Sequence, residues 1–444
     1  MASTSLPRST QVLVVGGGPA GASTAWHCAA AGLDVVLLDR ARFPRAKACA
    51  EYVSPEGARI LSAMGALEML EAQAATLTGM VVTAPSGHRI HGEFVAQHGF
   101  RGFRDRGLGI RREILDTVLV ERARANGVAV CEGVKVEDVL RDETGRAVGV
   151  RVRTESGQHD INAHVVIGAD GLRSIVANRL GLAHRSRWPR RIALVAHYRD
   201  VTGMSTLGEM HVAADGYVGL ADVGDGVTNV ALVVPMGDAR KMKGAAEAFL
   251  ASWIARRAQL SPRFVRAVRV SPVLVTGPFA SRARRPWCPG AALVGDAADF
   301  FDPFTGEGIF AALRGGELLS PFVVAAVSAI ARRDSDAEQH VFRAYEQARH
   351  DTFAGKWRVE QIIGTAVAAP WLMNSAARLL ERDRALSDLL IGVTGDFVPA
   401  STLLAPRTLR RIASAFFRRP AQPAGHAWTL PQVSPPVTSH AHRR

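Results

Sequence analysis

The succession of apolar and polar positions divides the chain into buried strands, helices and one antiparallel region. Gln11–Val15 (QVLVV) and Asp34–Leu38 (DVVLL) are short apolar runs suited to parallel strands buried on both faces. GGGPAG and an alanine-rich stretch ending at Gly32 lie between them, so strand, glycine turn, helix and strand form one βαβ unit. A helix is predicted over 54–75, with Ser54 as N-cap and Pro55 in the first turn. Another covers Arg112–Asn126 and stops at Gly127. Short strands are expected over 78–95 and 128–168, with a hairpin near 143–146, and the last strand, His164–Ile167, runs into GADG.

Residues 190–235 alternate apolar and polar side chains between glycine turns, the pattern of an antiparallel sheet. Residues 240–269 read as helical. A strand near 272–276 leads through a basic loop to Ala291–Val294 and GDAADFFDPFTGEGIF, and a helix begins at about 307, with others to about 418. The segment 420–444 is rich in Pro, His and Ser, has no periodicity and is expected to be a disordered tail.

Composition narrows the class. Hydrophobic residues are 48% of the 444 and charged residues 21%, so the chain can bury a sizeable core. No continuous apolar run of about 18 residues is free of charge, which argues against a membrane-spanning helix. The start lacks the layout of a secretory signal, and the four cysteines form no CxxC pair, which disfavours a structural zinc or a disulfide framework. A soluble chain in a reducing cytoplasm is expected. The net charge of +13 is spread over short arginine clusters with no nucleic-acid motif, so nucleic acid is not an expected partner. Leu409–Arg419 (LRRIASAFFRR) is basic and amphipathic, and is a candidate for peripheral contact with a membrane surface.

Three separated motifs carry the chemistry. Gly16-Gly17-Gly18-Pro19-Ala20-Gly21 fits the G-x-G-x-x-G pattern between a strand and a helix. Gly16 permits the tight turn, Gly18 the approach of a pyrophosphate, and Gly21 close packing of helix on sheet. The N-terminus of the helix that follows offers free N–H groups to phosphate oxygens. Asp39, 18 residues beyond Gly21, can accept from ribose hydroxyls, which favours FAD or NAD over NADP. The second motif runs from Val165 to Ser174 (VVIGADGLRS). The third is Gly295-Asp296-Ala297-Ala298 followed by Asp302-Pro303-Phe304-Thr305-Gly306-Glu307-Gly308. Each is a strand ending in glycine and aspartate at a sheet edge, where α/β proteins bind ligands. Asp296 can accept from a polyol hydroxyl, and Gly306 and Gly308 free the next helix start to face an electron-rich ring.

Together the motifs resemble the FAD-dependent superfamily of p-hydroxybenzoate-hydroxylase-like monooxygenases, flavin-dependent halogenases and geranylgeranyl reductases, over about residues 10–320. The resemblance implies an α/β fold with a Rossmann-like, discontinuous FAD-binding domain (8–85, 105–182 and 280–335). It implies an inserted antiparallel substrate domain (86–104 and 183–279) and a C-terminal helical region (336–419). It also implies that Gly16, Gly18, Pro19, Ala20, Gly21, Asp39 and Arg40 hold the ADP half of FAD. Arg112, from Arg112-x-x-x-Asp116, would lie near flavin and pyrophosphate, and Asp170 would belong to the motif for FAD and pyridine-nucleotide use. Asp296 would contact the ribityl chain or phosphate, and Pro303, Gly306 and Gly308 would pass the isoalloxazine. NAD(P)H is the implied electron donor. Phe43-Pro44-Arg45-Ala46-Lys47-Ala48-Cys49 is similar to a P-R-x-K-x-C stretch of the geranylgeranyl reductases, the closest branch. Glycines follow the cysteine there, whereas Ala50-Glu51-Tyr52 follows here. The W-x-W-x-I-P element of the halogenases is absent.

Flavin chemistry demands no catalytic triad, and no nucleophile elbow is present. Cys49 is the candidate catalytic side chain. Glu51 and Tyr52 are candidates for orienting a polar group of the substrate, and His197 and His211 for accepting a phenolic proton. The sparsely charged sheet over Ile192–Val234 is expected to floor a pocket for an apolar substrate. The leading expectation is an NAD(P)H-driven monooxygenase hydroxylating or epoxidising a lipophilic aromatic, polyketide or isoprenoid molecule, because the residues after Cys49 depart from the reductases. The alternative is an ene-reductase saturating isoprenoid double bonds, and a more remote one is a non-catalytic flavin-binding partner protein.

Overall fold

The computed structural model describes residues 6–97, 99–185, 190–242, 244–279, 281–300 and 302–417. The expected tail, 420–444, lies outside them, as does the end of the amphipathic segment 409–419.

The first sheet is built on five parallel strands: Ala291–Leu293, Gly157–Gly168, Ser9–Val15, Val35–Asp39 and Ala129–Glu132, in that spatial order. Ser9–Val15 is central, pairing Val12 with Val165 on one side and with Val35 on the other. Its apolar run is explained by that position. Val12 and Val14 enter one core, with Val35 and Leu37, while Leu13 and Val15 enter another, with Val36 and Leu38. Ala147–Thr154 extends the sheet antiparallel to Gly157–Gly168 and pairs antiparallel with Lys135–Arg141 on its other edge.

The helix Pro19–Ala30 lies against the long helix Gly308–Ala331. Small residues make the approach possible: a Cβ on Gly316 would meet Thr24 N at 2.6 Å. Ser23 Oγ donates to Leu313 O across the contact at 2.8 Å. Gly308–Ala331 has the length and apolarity to cross a membrane, and more than half of its most apolar stretch is buried inside the protein. The charge-free criterion passed over it because Arg314 and Glu317 interrupt the run. Both belong to a surface network in which Arg59 binds Glu317 through two bonds of 2.9 Å.

The second sheet is ordered Val268–Arg269, Arg191–Arg199, Val227–Pro235, Gly216–Asp222, Leu207–Ala213, Gly79–Thr83, Arg89–Glu93. Alternate residues serve its two faces. Ile192, Leu194 and Ala196 pack with Leu250, Trp253 and Ile254 beneath the helix Ala246–Ala255. Ala193 and Val195 point the other way, into a cluster with Tyr217, Val233 and Phe304. The outer strand Arg89–Glu93 is closed by the helices Pro370–Glu381 and Arg384–Thr394. Glu381 accepts from Arg89 N at 3.0 Å and Asp388 from Glu93 N at 2.9 Å.

Two expectations need correction. Gly79–Thr83, placed with the first domain in 8–85, pairs with Leu207–Ala213 and Arg89–Glu93, so the chain crosses to the second sheet before residue 79 rather than after 85. The single helix over 54–75 is two, Pro55–Ala63 and Leu67–Glu71, separated by Gly65 at φ +67°, and Ala75–Leu77 is a strand. The predicted start is right: Ser54 Oγ accepts from Gly57 N at 3.1 Å.

Candidate functional site

The three motifs meet on one cavity of about 240 Å³. Gly18, Pro19 and Ala20 line it from the first turn, Ala169, Gly171 and Leu172 from the second motif, and Asp296 with 302–309 from the third. The opposite wall is the second sheet, through Ala193, Val195, Gly219, Ala231 and Val233. The long helix Ser335–Ala368, which the sequence reading left without a role, closes one side with Phe353, Lys356, Trp357 and Glu360.

Each glycine of the first turn has its own reason. Gly16 stands at φ +106°, and a Cβ there would meet Ala169 O at 2.5 Å. A Cβ on Gly21 would fall 1.8 Å from Gly16 O. Gly18 is different. A Cβ there would meet only the guanidinium groups of Arg112 and Arg45, each at 3.7 Å, so the space above it is open and positively charged. Gly18 is the N-cap of Pro19–Ala30 and offers no side chain to it, which leaves the first amides of the helix available to an anion. An open cationic cradle leading into a long cavity fits a dinucleotide.

Asp39 ends its strand, 9% exposed, and accepts from Gly17 N at 2.7 Å and Ala41 N at 2.8 Å. It thereby shapes the turn. Arg40 is exposed and points to no described partner of the cavity. Arg112 is buried beside Asp116, which is 0% exposed, through bonds of 2.8 and 2.7 Å, and Arg45 reaches the same carboxylate at 3.3 Å. Burial works against the Arg112 charge, but Asp116 outweighs it and holds the guanidinium more firmly protonated than usual. Asp170 does not line the cavity. Its Oδ2 accepts from Ile175 N at 2.6 Å and so ties down the loop, while burial raises its pKa. Asp296 lines the cavity, its pKa also raised by burial, against the pull of Lys47 and Arg112.

Lys47, Arg45, Lys356 and Glu360 were not recognised from the sequence. Lys47 lines the cavity with its side chain open to it, its pKa lowered by the surrounding protein and by Arg112, with Asp296 acting against the shift. The P-R-x-K-x-C stretch contains both Arg45 and Lys47 and is the signal that could have found them. Lys356 bridges Glu307, at 3.2 Å, and Asp396. Glu360 makes no hydrogen bond or ion pair among the described residues, and its pKa is raised well above the carboxylate range by burial and by nearby Glu307.

Cys49 lines the cavity, as expected of the candidate thiol. Tyr52 does too; burial raises its pKa well above its ordinary value, and its hydroxyl has no partner among the described residues. Glu51 is a correction: it is 2% exposed and both carboxylate oxygens are taken by protein donors, so it orients no substrate group. His197 and His211 are corrections of the same kind. Neither lines the cavity; their Nε2 atoms bond to Glu51 and Glu209, each at 2.7 Å.

Glu209 shows how tightly this wall is wired. Burial works to raise its pKa, but hydrogen bonds from His211 and Arg263 win and push it down from 4.5 to about 2. A lowered folded pKa stabilises the protein above the unfolded value and is lost on acidification. Acid unfolding followed by circular dichroism should therefore show wild type losing its advantage over Glu209→Gln as pH falls from about 4.5 towards 2, with a constant difference above that window.

A family model described as an FAD binding domain matches residues 9–354. The digeranylgeranylglycerophospholipid reductase 2 of Methanopyrus kandleri is 30% identical over 77% of this chain and 82% of its own. The menaquinone reductase of Mycolicibacterium smegmatis is 26% identical over 87% of this chain and 91% of its own. Among solved structures, the myxobacterial chondrochloren halogenase, described as an FAD-dependent halogenase, superposes with a TM-score of 0.71 at 24% identity, covering 93% of this chain and 91% of that one. At that identity the likeness speaks for the fold. The matched model spans every glycine and acid of the three motifs, and the chain belongs to the FAD binding domain family as an FAD-dependent oxidoreductase.

Proposed function

We propose that this protein reduces carbon–carbon double bonds in a lipophilic, isoprenoid-type chain, with NAD(P)H as the source of electrons. What carries this reading is the make-up of the cavity: a floor of Gly79, Gly208, Gly219, Ala193, Ala221 and Ala231 flanked by Met80 and Met210, with the carboxyl of Glu360 on its wall. Small residues and flexible thioethers accommodate a long unbranched or methyl-branched chain better than they clamp a planar ring. The relatives named as reductases support the same reading, at 30% identity for the digeranylgeranylglycerophospholipid reductase.

FAD, when bound, supplies the two-electron chemistry. The residues of the chain do the rest. Arg112, Arg45 and the open turn at Gly18 would hold the pyrophosphate. Asp296 and Lys47 face the middle of the cavity, where the polyol would run. The apolar sheet face excludes water. Burial and nearby Glu307 raise the Glu360 pKa, against the pull of Lys356, which makes its carboxyl the candidate proton donor to a carbon in the cavity.

The experiment is product analysis with a geranylgeranyl lipid in deuterated water, using dithionite-reduced holoenzyme with oxygen excluded and, separately, NADPH in air. Saturation of a double bond without added oxygen, with solvent deuterium in the product, is the expected result. A product heavier by one oxygen, formed only in air, would establish the oxygen-inserting reading instead. That second reading is favoured by the Ala50-Glu51 pair that follows Cys49.

A further inference from the structure

Glu51 combines two costly conditions. Its φ is +60°, in the left-handed region that L-residues other than Asn and Asp seldom adopt, and it is an acid with 2% exposure. Such a residue persists only where its surroundings hold it. Here three donors do so. Oε1 accepts from Arg112 N at 2.8 Å. Oε2 accepts from Asn229 Nδ2 at 2.8 Å and from His197 Nε2 at 2.7 Å.

The donors come from both halves of the molecule. Arg112 N opens the helix Arg112–Ala125, whose own N-cap residue, Arg111, supplies no side-chain cap, so the Glu51 carboxylate fills that role from another segment. His197 and Asn229 stand opposite each other on the paired strands Arg191–Arg199 and Val227–Pro235 of the second sheet. Asn229 Nδ2 also donates to Cys49 O at 2.9 Å, and Glu51 N approaches Cys49 Sγ at 3.3 Å. The segment 49–51 is therefore bound at its backbone, at its thiol and at its carboxylate.

We propose that Glu51 is a positioning residue: it fixes the Cys49 thiol in the cavity wall and locks the Arg112 helix to the substrate sheet. Without its carboxylate, Arg112 N and His197 Nε2 lose their acceptor and Asn229 Nδ2 keeps only Cys49 O, so the segment 49–51 is held by that carbonyl bond and by the Glu51 N contact to Cys49 Sγ alone. The role holds for any reaction performed in this cavity, so it goes beyond the reduction reading.

The test is the rate at which iodoacetamide alkylates Cys49 in the FAD-loaded full-length protein, read by peptide mass, with Cys131 and Cys288 as internal references. Glu51→Gly removes the carboxylate and relieves the left-handed backbone together, and is expected to raise the Cys49 rate by about tenfold, the scale of a lost charged hydrogen bond. His197→Phe removes one donor from outside the cavity and should raise it by about threefold, while His197→Gln, which can still donate, should return it to the wild-type rate. If Glu51→Gly fails to fold, Glu51→Gln and the histidine pair carry the same comparison. A Cys49 rate unchanged in these variants, an increase shared equally by Cys131 and Cys288, or no rescue by His197→Gln overturns the proposal. No substrate enters the assay, so failure of the reduction reading leaves this result intact.

Discussion

Arg112→Leu is expected to destabilise the fold by about 3–5 kcal/mol, because it strands a carboxylate at the centre of the dinucleotide domain. Asp116 is 0% exposed and is paired with Arg112 at 2.7 Å and Arg45 at 3.3 Å. With Arg112 gone, Arg45 must serve Asp116 alone, and Arg45 also lies 3.7 Å from Asp39. The double variant Arg112→Leu/Asp116→Leu should recover most of the loss, since a buried pair replaced by apolar groups leaves no charge unpaired. It should not recover FAD, because Arg112 is one of the two cations above Gly18. Urea unfolding and the flavin absorbance of the purified protein separate the two effects. If the double variant is no more stable than the single one, lost packing of the arginine stem is responsible and the buried-charge account fails.

The second large effect contrasts two glycines three residues apart. Gly21→Ala places a Cβ 1.8 Å from Gly16 O, and neither backbone can retreat without parting helix from strand. A loss of about 3 kcal/mol or more, with no bound flavin, is expected. Gly18→Ala meets nothing nearer than 3.7 Å and keeps φ at −75°, which alanine tolerates. Its melting temperature should match wild type without cofactor, while FAD affinity falls at least about tenfold, because the methyl occupies the path of the pyrophosphate. Calorimetry of apoprotein and FAD titration measure both. Wild-type affinity in Gly18→Ala would mean that the dinucleotide does not cross this turn.

The glycine turns were legible because each requirement is local. A strand, a left-handed turn and a helix start follow one another in sequence, and only glycine satisfies the backbone at Gly16. The sheet over 190–235 was legible from its period of two. The partners of Glu51 were not, because they lie 61, 146 and 178 residues away and no local pattern marks a carboxylate as capping a distant helix. The histidines misled for the same reason: a lone histidine on a strand carries no sign of whether it faces a cavity or a neighbouring acid. The helix predicted over 54–75 runs through Gly65, whose positive φ ends one helix before another starts. Glu360 was invisible because its meaning depends on burial and on Glu307, two features that appear only when the long helix closes on the flavin loop.

The closing of the strand Arg89–Glu93 by Glu381 and Asp388 also sets an order of events during synthesis. Those carboxylates lie 292 and 295 residues downstream of the amides they satisfy. Until they leave the ribosome, the outermost strand presents unpaired N–H groups, a surface onto which a strand of another chain can add. The chain therefore spends most of its translation with an adhesive edge, and its last helices act as the guard that ends this period. Truncation before Pro370 would remove both carboxylates together with Met373 and Ala377 from the core beneath this sheet, and would leave its edge open to aggregation.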